Sequence, residues 1–136
     1  MKITKEWLRE KSACNSGVKW FLDQKETNGF KVVEKLIKEN KLDWANWAIV
    51  RIMSYNQYVS YAVFAAEEVV DLYEKRYPGD NRPRKAIEAA KKCIENPTEE
   101  NKKAAAVDAA AAYAAAANAD MKLKILNYGL KLLKEG

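Results

Sequence analysis

A run of alanines late in the sequence constrains the fold of this chain more than any other feature. Between residues 104 and 119, 12 of 16 positions are Ala, and the interruptions are Val107, Asp108, Tyr113 and Asn118. Ala has the highest helix propensity, so this alanine-rich segment is predicted to be helical. Because a methyl group buries little apolar area, such a helix needs large side chains from elsewhere to pack against it. All 4 Trp and all 3 Phe lie in the first half of the chain, and they are the expected partners.

Helical spacing extends over the rest of the chain. The sequence holds only 5 Gly and 3 Pro, and no long segment alternates apolar and polar residues, so the pattern favours an all-α fold. Start signals place N-caps at Thr4, at Thr27 or Asn28, at Asp43, at Asp80 or Asn81, and at Thr98, with a long helix over about 56–76. We therefore predict a single all-α domain over residues 1–136. It is expected to be a bundle of about seven to eight helices around the alanine-rich helix, with a chain reversal near residues 118–120.

The N-terminal stretch and the alanine-rich segment predict a cytoplasmic protein that does not span a membrane. The N-terminal stretch lacks the apolar core of a signal peptide. The alanine-rich segment includes Asp108 and is followed by Asp120, and a central Asp costs about 2.5–3.5 kcal/mol on insertion into a bilayer. In the cytoplasm, Cys14 and Cys93 are expected to be reduced thiols.

The residue types argue against an enzyme. The chain has no His, the commonest general base and a common metal ligand. Residues 11–17 hold Lys, Ser and Gly but not the spacing of a phosphate-binding loop. The adjacent carboxylates Glu67 and Glu68 point about 100° apart on a helix, so they cannot face each other as an acid/base pair. We predict no catalytic residues, no metal and no cofactor.

Three cations stand at the start of a predicted helix and form the main candidate binding site. Arg82, Arg84 and Lys85 fall in its first turn, where free backbone N–H groups favour anions. The cations could bind a phosphate or an acidic partner. Alternatively, they could pair with a carboxylate nearby or on another helix.

Three further residues complete the candidate site. Asp108 is the only charge inside the alanine-rich segment, so it either marks the solvent side or is a buried carboxylate paired with an Arg. Arg51 lies in an otherwise apolar stretch and is expected to find a carboxylate. Tyr58 belongs to an aromatic stripe that is typical of a core and could also stack on a base.

The phrase RPRKAIEAA at 82–90, followed by PTEEN at 97–101 and an Ala/Tyr-rich helix, resembles the "putative immunity protein" family of bacterial and phage genomes. The opening is similar to the start of phage-borne members, on the pairs Trp7-Leu8, Ala13-Cys14, Gly17-Val18 and Trp20-Phe21. The resemblance implies an all-α protein that protects a cell or a phage by binding, with no catalytic residues to carry over.

Three functions fit these observations. The first is a non-enzymatic binding protein of immunity or inhibitor type that neutralises a toxin or a host anti-phage component by direct binding. The second is a homo-oligomeric sponge that sequesters a small anionic nucleotide, with the Arg82 to Lys85 cations gripping phosphate. The third is nucleic-acid binding, which the scattered net charge of +5 supports only weakly.

Overall fold

Seven helices make up the described part of the chain. The computed structural model describes residues 1–96 and 119–135. The helices are α1 (Lys5–Glu10), α2 (Asn15–Gln24), α3 (Gly29–Lys38), α4 (Leu42–Ile52), α5 (Tyr55–Arg76), α6 (Arg82–Glu95) and α7 (Ala119–Glu135). Apart from one isolated antiparallel bridge between Lys2 and Asn28, these residues hold no β-structure. The predicted all-α class is therefore confirmed.

The chain divides into two compact units, Met1–Ile52 and Met53–Gly136. Nearly all of the alanine-rich segment and the expected cap at Thr98 lie outside the described residues. The expected reversal near residues 118–120 falls at their edge, since residue 118 is not described and α7 begins at Ala119. Among the helices that are described, none is both long enough and apolar enough to cross a membrane.

Local capping sets most helix starts in the first unit. The Thr4 hydroxyl accepts a hydrogen bond from the Trp7 N–H at 3.1 Å, and the Asn28 side chain accepts one from the Lys31 N–H at 3.1 Å, as the sequence predicts. The expected cap at Asp43 is wrong by two residues. The Ala45 N–H already bonds to the Lys41 carbonyl at 2.9 Å, so Asp43 lies inside the first turn of α4.

Two backbone hydrogen bonds join the first residues of the chain to the start of α3. The Ile3 N–H donates to the Thr27 carbonyl at 2.7 Å, and the Gly29 N–H donates to the Met1 carbonyl at 2.8 Å. A Cβ at Gly29 would stand 3.2 Å from that carbonyl and 3.1 Å from Ile52, so glycine permits the close approach. Ile3 is thereby buried with Leu8, Phe21, Val32, Val33, Leu36, Ala45, Ala48 and Ile49.

Helix α5 is the shared partner of the other two helices in the second unit. Towards α6, Glu74 contacts Arg84 and Glu67 contacts Lys91, so the two helices run antiparallel. Towards α7, the rings of Phe64 and Tyr128 stack with centroids 4.1 Å apart and planes inclined by 9°. Among the described side chains of α5, the buried ones are Val59, Tyr61, Ala62, Val63, Ala65, Ala66, Val69 and Val70.

One amide side chain joins the start of α5 to the end of α7. The Gln57 side-chain oxygen Oε1 accepts from the Ser54 backbone N–H at 2.9 Å, while the Ser54 hydroxyl accepts from the Gln57 backbone N–H at 3.3 Å. This is a capping box. The Gln57 amide nitrogen also donates to the Leu132 carbonyl at 3.1 Å, one of the last carbonyls of α7, which lack a partner within the helix.

We expect Gln57→Ala to lower the free energy of unfolding by about 1–2 kcal/mol, because it removes both bonds of the amide side chain. Ser54→Ala removes only the hydroxyl of the capping box and is the matched comparison, with an expected loss of about 0.5–1 kcal/mol. Urea unfolding followed by circular dichroism measures both. Equal losses in the two variants would show that the bond to Leu132 contributes nothing.

The prediction of one domain over residues 1–136 stays a prediction, and the Trp positions provide its test. All 4 Trp lie in Met1–Ile52, so Trp fluorescence follows that unit, whereas circular dichroism follows the helices of both. A single cooperative domain predicts coincident unfolding midpoints. It also predicts that Gln57→Ala lowers both midpoints equally, and a shift in only the circular dichroism transition would contradict it.

Candidate binding surfaces

The turn between α5 and α6 presents a basic and aromatic surface. We define the hairpin tip as Lys75, Arg76, Tyr77, Arg84 and Lys85. Tyr77 ends α5 and is 49% exposed, and the Arg76 guanidinium lies 5.7 Å from the centre of its ring.

One hydrogen bond and one glycine conformation define the turn that carries this surface. The Tyr73 hydroxyl donates to the Asp80 carboxylate at 2.7 Å, which ties the last part of α5 to the approach of α6. Gly79 adopts a positive φ of 90°, a backbone conformation that side chains disfavour. The turn that carries the hairpin tip therefore has a defined backbone conformation.

The first turn of α6 places charges against the usual electrostatic rule. It contains no acidic residue, although the positive end of a helix dipole favours anions and disfavours cations. Arg84 and Lys85 stand there instead, and Arg82 is the first residue of the helix, with a side chain outside the described part. Such departures from local rules are expected where residues serve function.

The pairing of Arg84 offsets part of this cost. Its guanidinium binds the Glu74 carboxylate with two hydrogen bonds of 2.6 and 3.2 Å and approaches Asp71 at 3.8 Å. The hydrogen bond from Arg84 lowers the pKa of Glu74, and the same bond raises the pKa of Arg84. Arg84 thus pairs with another helix, one of the two interpretations open from the sequence. Lys85 is exposed and has no ion-pair partner among the described residues.

The remaining predicted site residues are not gathered at the hairpin tip. Arg51 belongs to the first unit, where its guanidinium lies 4.1 Å over the Trp47 ring and donates to the Trp47 carbonyl at 2.8 Å. Tyr58 is half-buried near the start of α5, about 27 Å along the helix from Arg76 at 1.5 Å per residue. Asp108 lies outside the described residues.

The adjacent carboxylates of α5 serve different neighbours. Glu67 pairs with Lys91 of α6 at 3.0 Å, and Glu68 pairs with Lys124 of α7 at 2.9 Å. They diverge as the helical geometry predicts. Within residues 1–96 and 119–135, no group of three His, Cys, Asp or Glu side chains is arranged to hold a metal ion.

The first unit contains a cleft that the sequence interpretation missed. It has a volume of about 360 Å³ and is lined by apolar side chains of all four helices, including Leu8, Phe21, Leu36, Trp20, Trp44 and Trp47. Cys14 also lines it, with an exposed and free thiol. The concentration of all four Trp before residue 48 was the available signal, but those rings were expected to face the alanine-rich segment.

The comparisons with known proteins give two matches that overlap at residues 48–56, around the boundary between the two compact units. The "Imm-5 like putative immunity protein" family model matches residues 48–126, more than half of the chain. The chain belongs to this family. The resemblance inferred from the sequence is therefore confirmed over those residues, whereas residues 1–56 match a second model, the YdhT N-terminal domain. Neither the curated proteins nor the solved structures include a significant match.

The hairpin tip lies within the immunity-family match. Residues 75–85 fall near the middle of 48–126, and all of α5 and all of α6 lie within the same range. The Trp-lined cleft, in contrast, falls within the YdhT N-terminal match. The two surfaces thus belong to different family matches as well as to different compact units.

The Glu74–Arg84 pair predicts a coupling that depends on pH. Because the folded-state pKa of Glu74 is lowered from 4.5, its contribution to stability is present above that value and is lost as the pH falls through the lowered one. We expect Glu74→Gln and Arg84→Gln to be non-additive at about pH 7 and additive once Glu74 is protonated. Thermal unfolding of the wild type, both single variants and the double variant measures this.

Lys92 and Glu95 supply the matched control for this cycle. Both are exposed on α6, and the described contacts include no ion pair between them. Lys92→Gln and Glu95→Gln should therefore be nearly additive at every pH, because side chains three positions apart on a helix interact only weakly without an ion pair. Additivity of the Glu74 and Arg84 substitutions near neutral pH would contradict the assigned pairing.

Proposed function

We propose that this chain is a non-enzymatic immunity-type protein that neutralises a toxin or a component of host anti-phage defence by direct binding. Membership of the immunity-protein family over residues 48–126 carries the proposal. The protein would act in the cytoplasm, which is that of the host if a phage encodes it. The proposal assigns no catalytic residue, cofactor or metal.

The hairpin tip is the proposed contact surface. It lies within the family match and presents Tyr77 beside Arg76, and Tyr and Arg are the residue types that most often dominate binding energy at interfaces. The surface is basic, so the complementary partner surface is acidic. Charges of this kind accelerate association and select partners more than they add affinity.

The residues of the hairpin tip have different proposed roles. Arg84 is held by Glu74 through two hydrogen bonds, so it positions the start of α6 and does not reach for the partner. Arg76, Tyr77 and Lys85 are exposed and make the contact. Neutralisation is then steric, because an occupied surface on the toxin or defence component cannot engage its own target.

The two alternative functions have less support from these contacts. A nucleotide phosphate at Arg84 would have to displace a bidentate carboxylate, which is among the stronger side-chain partners. A thermal-shift screen tests this alternative, since a nucleotide at 100 times its Kd stabilises a fold by about 2.7 kcal/mol. Nucleic-acid binding predicts a gel shift at low salt that weakens steeply between roughly 50 and 200 mM.

The test of the proposal begins with crosslinking of the tagged chain in cells, followed by expression of any captured protein by itself. Support requires that the recombinant partner forms a complex of fixed stoichiometry by calorimetry and loses its activity on binding. Growth rescue then identifies a toxin, and restored phage propagation identifies a defence component. A partner that binds without losing activity, or no partner in any growth state, would overturn the proposal.

Lys85→Glu and Lys92→Glu form a matched pair for the contact surface. Both residues are exposed on α6 and lie seven positions apart on the same face, but only Lys85 belongs to the hairpin tip. We expect Lys85→Glu combined with Arg76→Glu to weaken binding by about tenfold or more, chiefly through slower association. Lys92→Glu should leave the affinity nearly unchanged. Equal effects would place the contact elsewhere.

A further inference from the structure

Small residues form part of the lining of the cleft in the first unit. Ala13, Gly17 and Ala48 all line it, and none of them can reach across to fill the space. Its volume of about 360 Å³ lies in the lower part of the range for small-molecule sites.

The three indole rings of the cleft are fixed by groups that do not line it. The Trp20 N–H donates to the Glu39 carboxylate at 3.1 Å, and the Lys41 ammonium lies 4.9 Å from the centre of the Trp44 ring. Trp47 is contacted by the Arg51 guanidinium and by the edge of Trp7, whose centroid is 6.2 Å away. Rings held in this way lose little freedom when a ligand arrives, which favours binding.

The charges around the cleft select against ionic ligands of either sign. Among the described residues that line it, only Asp43 carries a formal charge, and a carboxylate repels an anion. A cation is attracted by Asp43, but Lys41 and Arg51 already contact Trp44 and Trp47, so a second cation beside those rings also meets like-charge repulsion. An apolar lining also leaves a buried charge without hydrogen bonds.

We propose that this Trp-lined cleft is a binding site for small uncharged aromatic molecules of one or two rings. Indole and phenyl rings pack with other aromatic rings in offset or edge-to-face geometry, with a gain beyond the area that they bury. Trp20, Trp44, Trp47 and Phe21 supply such faces and edges around a single space. This activity is separate from the immunity-type function, because its residues lie in the YdhT N-terminal match.

The test compares three naphthalene derivatives that differ in charge. Naphthylmethanol is neutral, naphthoate is an anion and naphthylmethylammonium is a cation, so the three differ little in shape. Calorimetry on the full chain should show saturable one-to-one binding of the alcohol and binding at least about tenfold weaker for both ions. Equal affinity for the three, or no saturable binding of the alcohol, would overturn the proposal.

Gly17→Leu and Ser16→Leu locate the site. Gly17 lines the cleft, and a Cβ there would meet only the Cys14 sulphur, at 3.4 Å, so a larger side chain enters the space. Ser16 is its exposed neighbour on α2 and does not line the cleft. We expect Gly17→Leu to weaken binding at least about tenfold and Ser16→Leu to leave it unchanged. Unchanged binding in a folded Gly17→Leu variant would overturn the proposal.

The thiol at the edge of the cleft gives a second readout that does not depend on filling it. In a Cys93→Ser background, Cys14 is the remaining cysteine, and it is exposed. Saturating naphthylmethanol should slow the reaction of Cys14 with a maleimide, whereas naphthoate at the same concentration should not. If Gly17→Leu does not fold, this comparison decides, and an unchanged rate with the alcohol would overturn the proposal.

Discussion

The second unit depends on the packing of α5 against two neighbouring helices. This helix packs against α6 along one side and against α7 along another, so its apolar surface extends around much of the helix. Ala62, Ala65 and Ala66 are buried together with larger Val residues, and small side chains let neighbouring helices approach closely. The charged contacts follow the same division, since Glu67 pairs towards α6 and Glu68 towards α7. Burial and ion pairing therefore specify one rotation of α5 about its axis.

At the hairpin tip, an unfavourable local arrangement of charges is partly offset by an ion pair between two helices. Cations in the first turn of α6 oppose the helix dipole, and the ion pair with Glu74 offsets this at Arg84. The exposed pairs in this unit contribute little stability individually, so the tip is held chiefly by apolar packing between the helices below it. The consequence is a basic surface on a rigid support, which suits recognition better than it suits stability.

Features that depend on residues close together in the sequence could be predicted from the sequence. The caps at Thr4 and Asn28, the long helix α5 and the family resemblance all follow from short patterns, and the structure and comparisons confirm them. The start of α4 was misplaced because Asp43 is a good cap by type, whereas the hydrogen-bonded turn already begins at Lys41. At the candidate site, the cations at the start of α6 stay a predicted binding site. Arg84 pairs with a carboxylate, as one interpretation of the sequence allowed, but the choice of Glu74 as its partner required the antiparallel packing of α5 and α6.

The Trp-lined cleft could not be predicted, since it results from four short helices that converge on a space no single one defines. Trp20 and Trp44 are 24 positions apart in the sequence, and their joint exposure to one cleft depends on tertiary packing. Arg51 shows the same limit. The position of its guanidinium over the Trp47 ring, one helical turn away, was not predicted, and a carboxylate partner for its charge stays a prediction. Which groups a side chain contacts depends on how the helices pack in the folded chain.

The divergence of Glu67 and Glu68 has a consequence for how this protein can change in evolution. A one-residue insertion in α5 turns everything beyond it by about 100°, and a helix with a single neighbour could absorb that by rolling. Helix α5 cannot, because any roll that restores one flank displaces the other. Length differences among relatives should therefore accumulate in the turn around Gly79 and leave the residue count of α5 fixed.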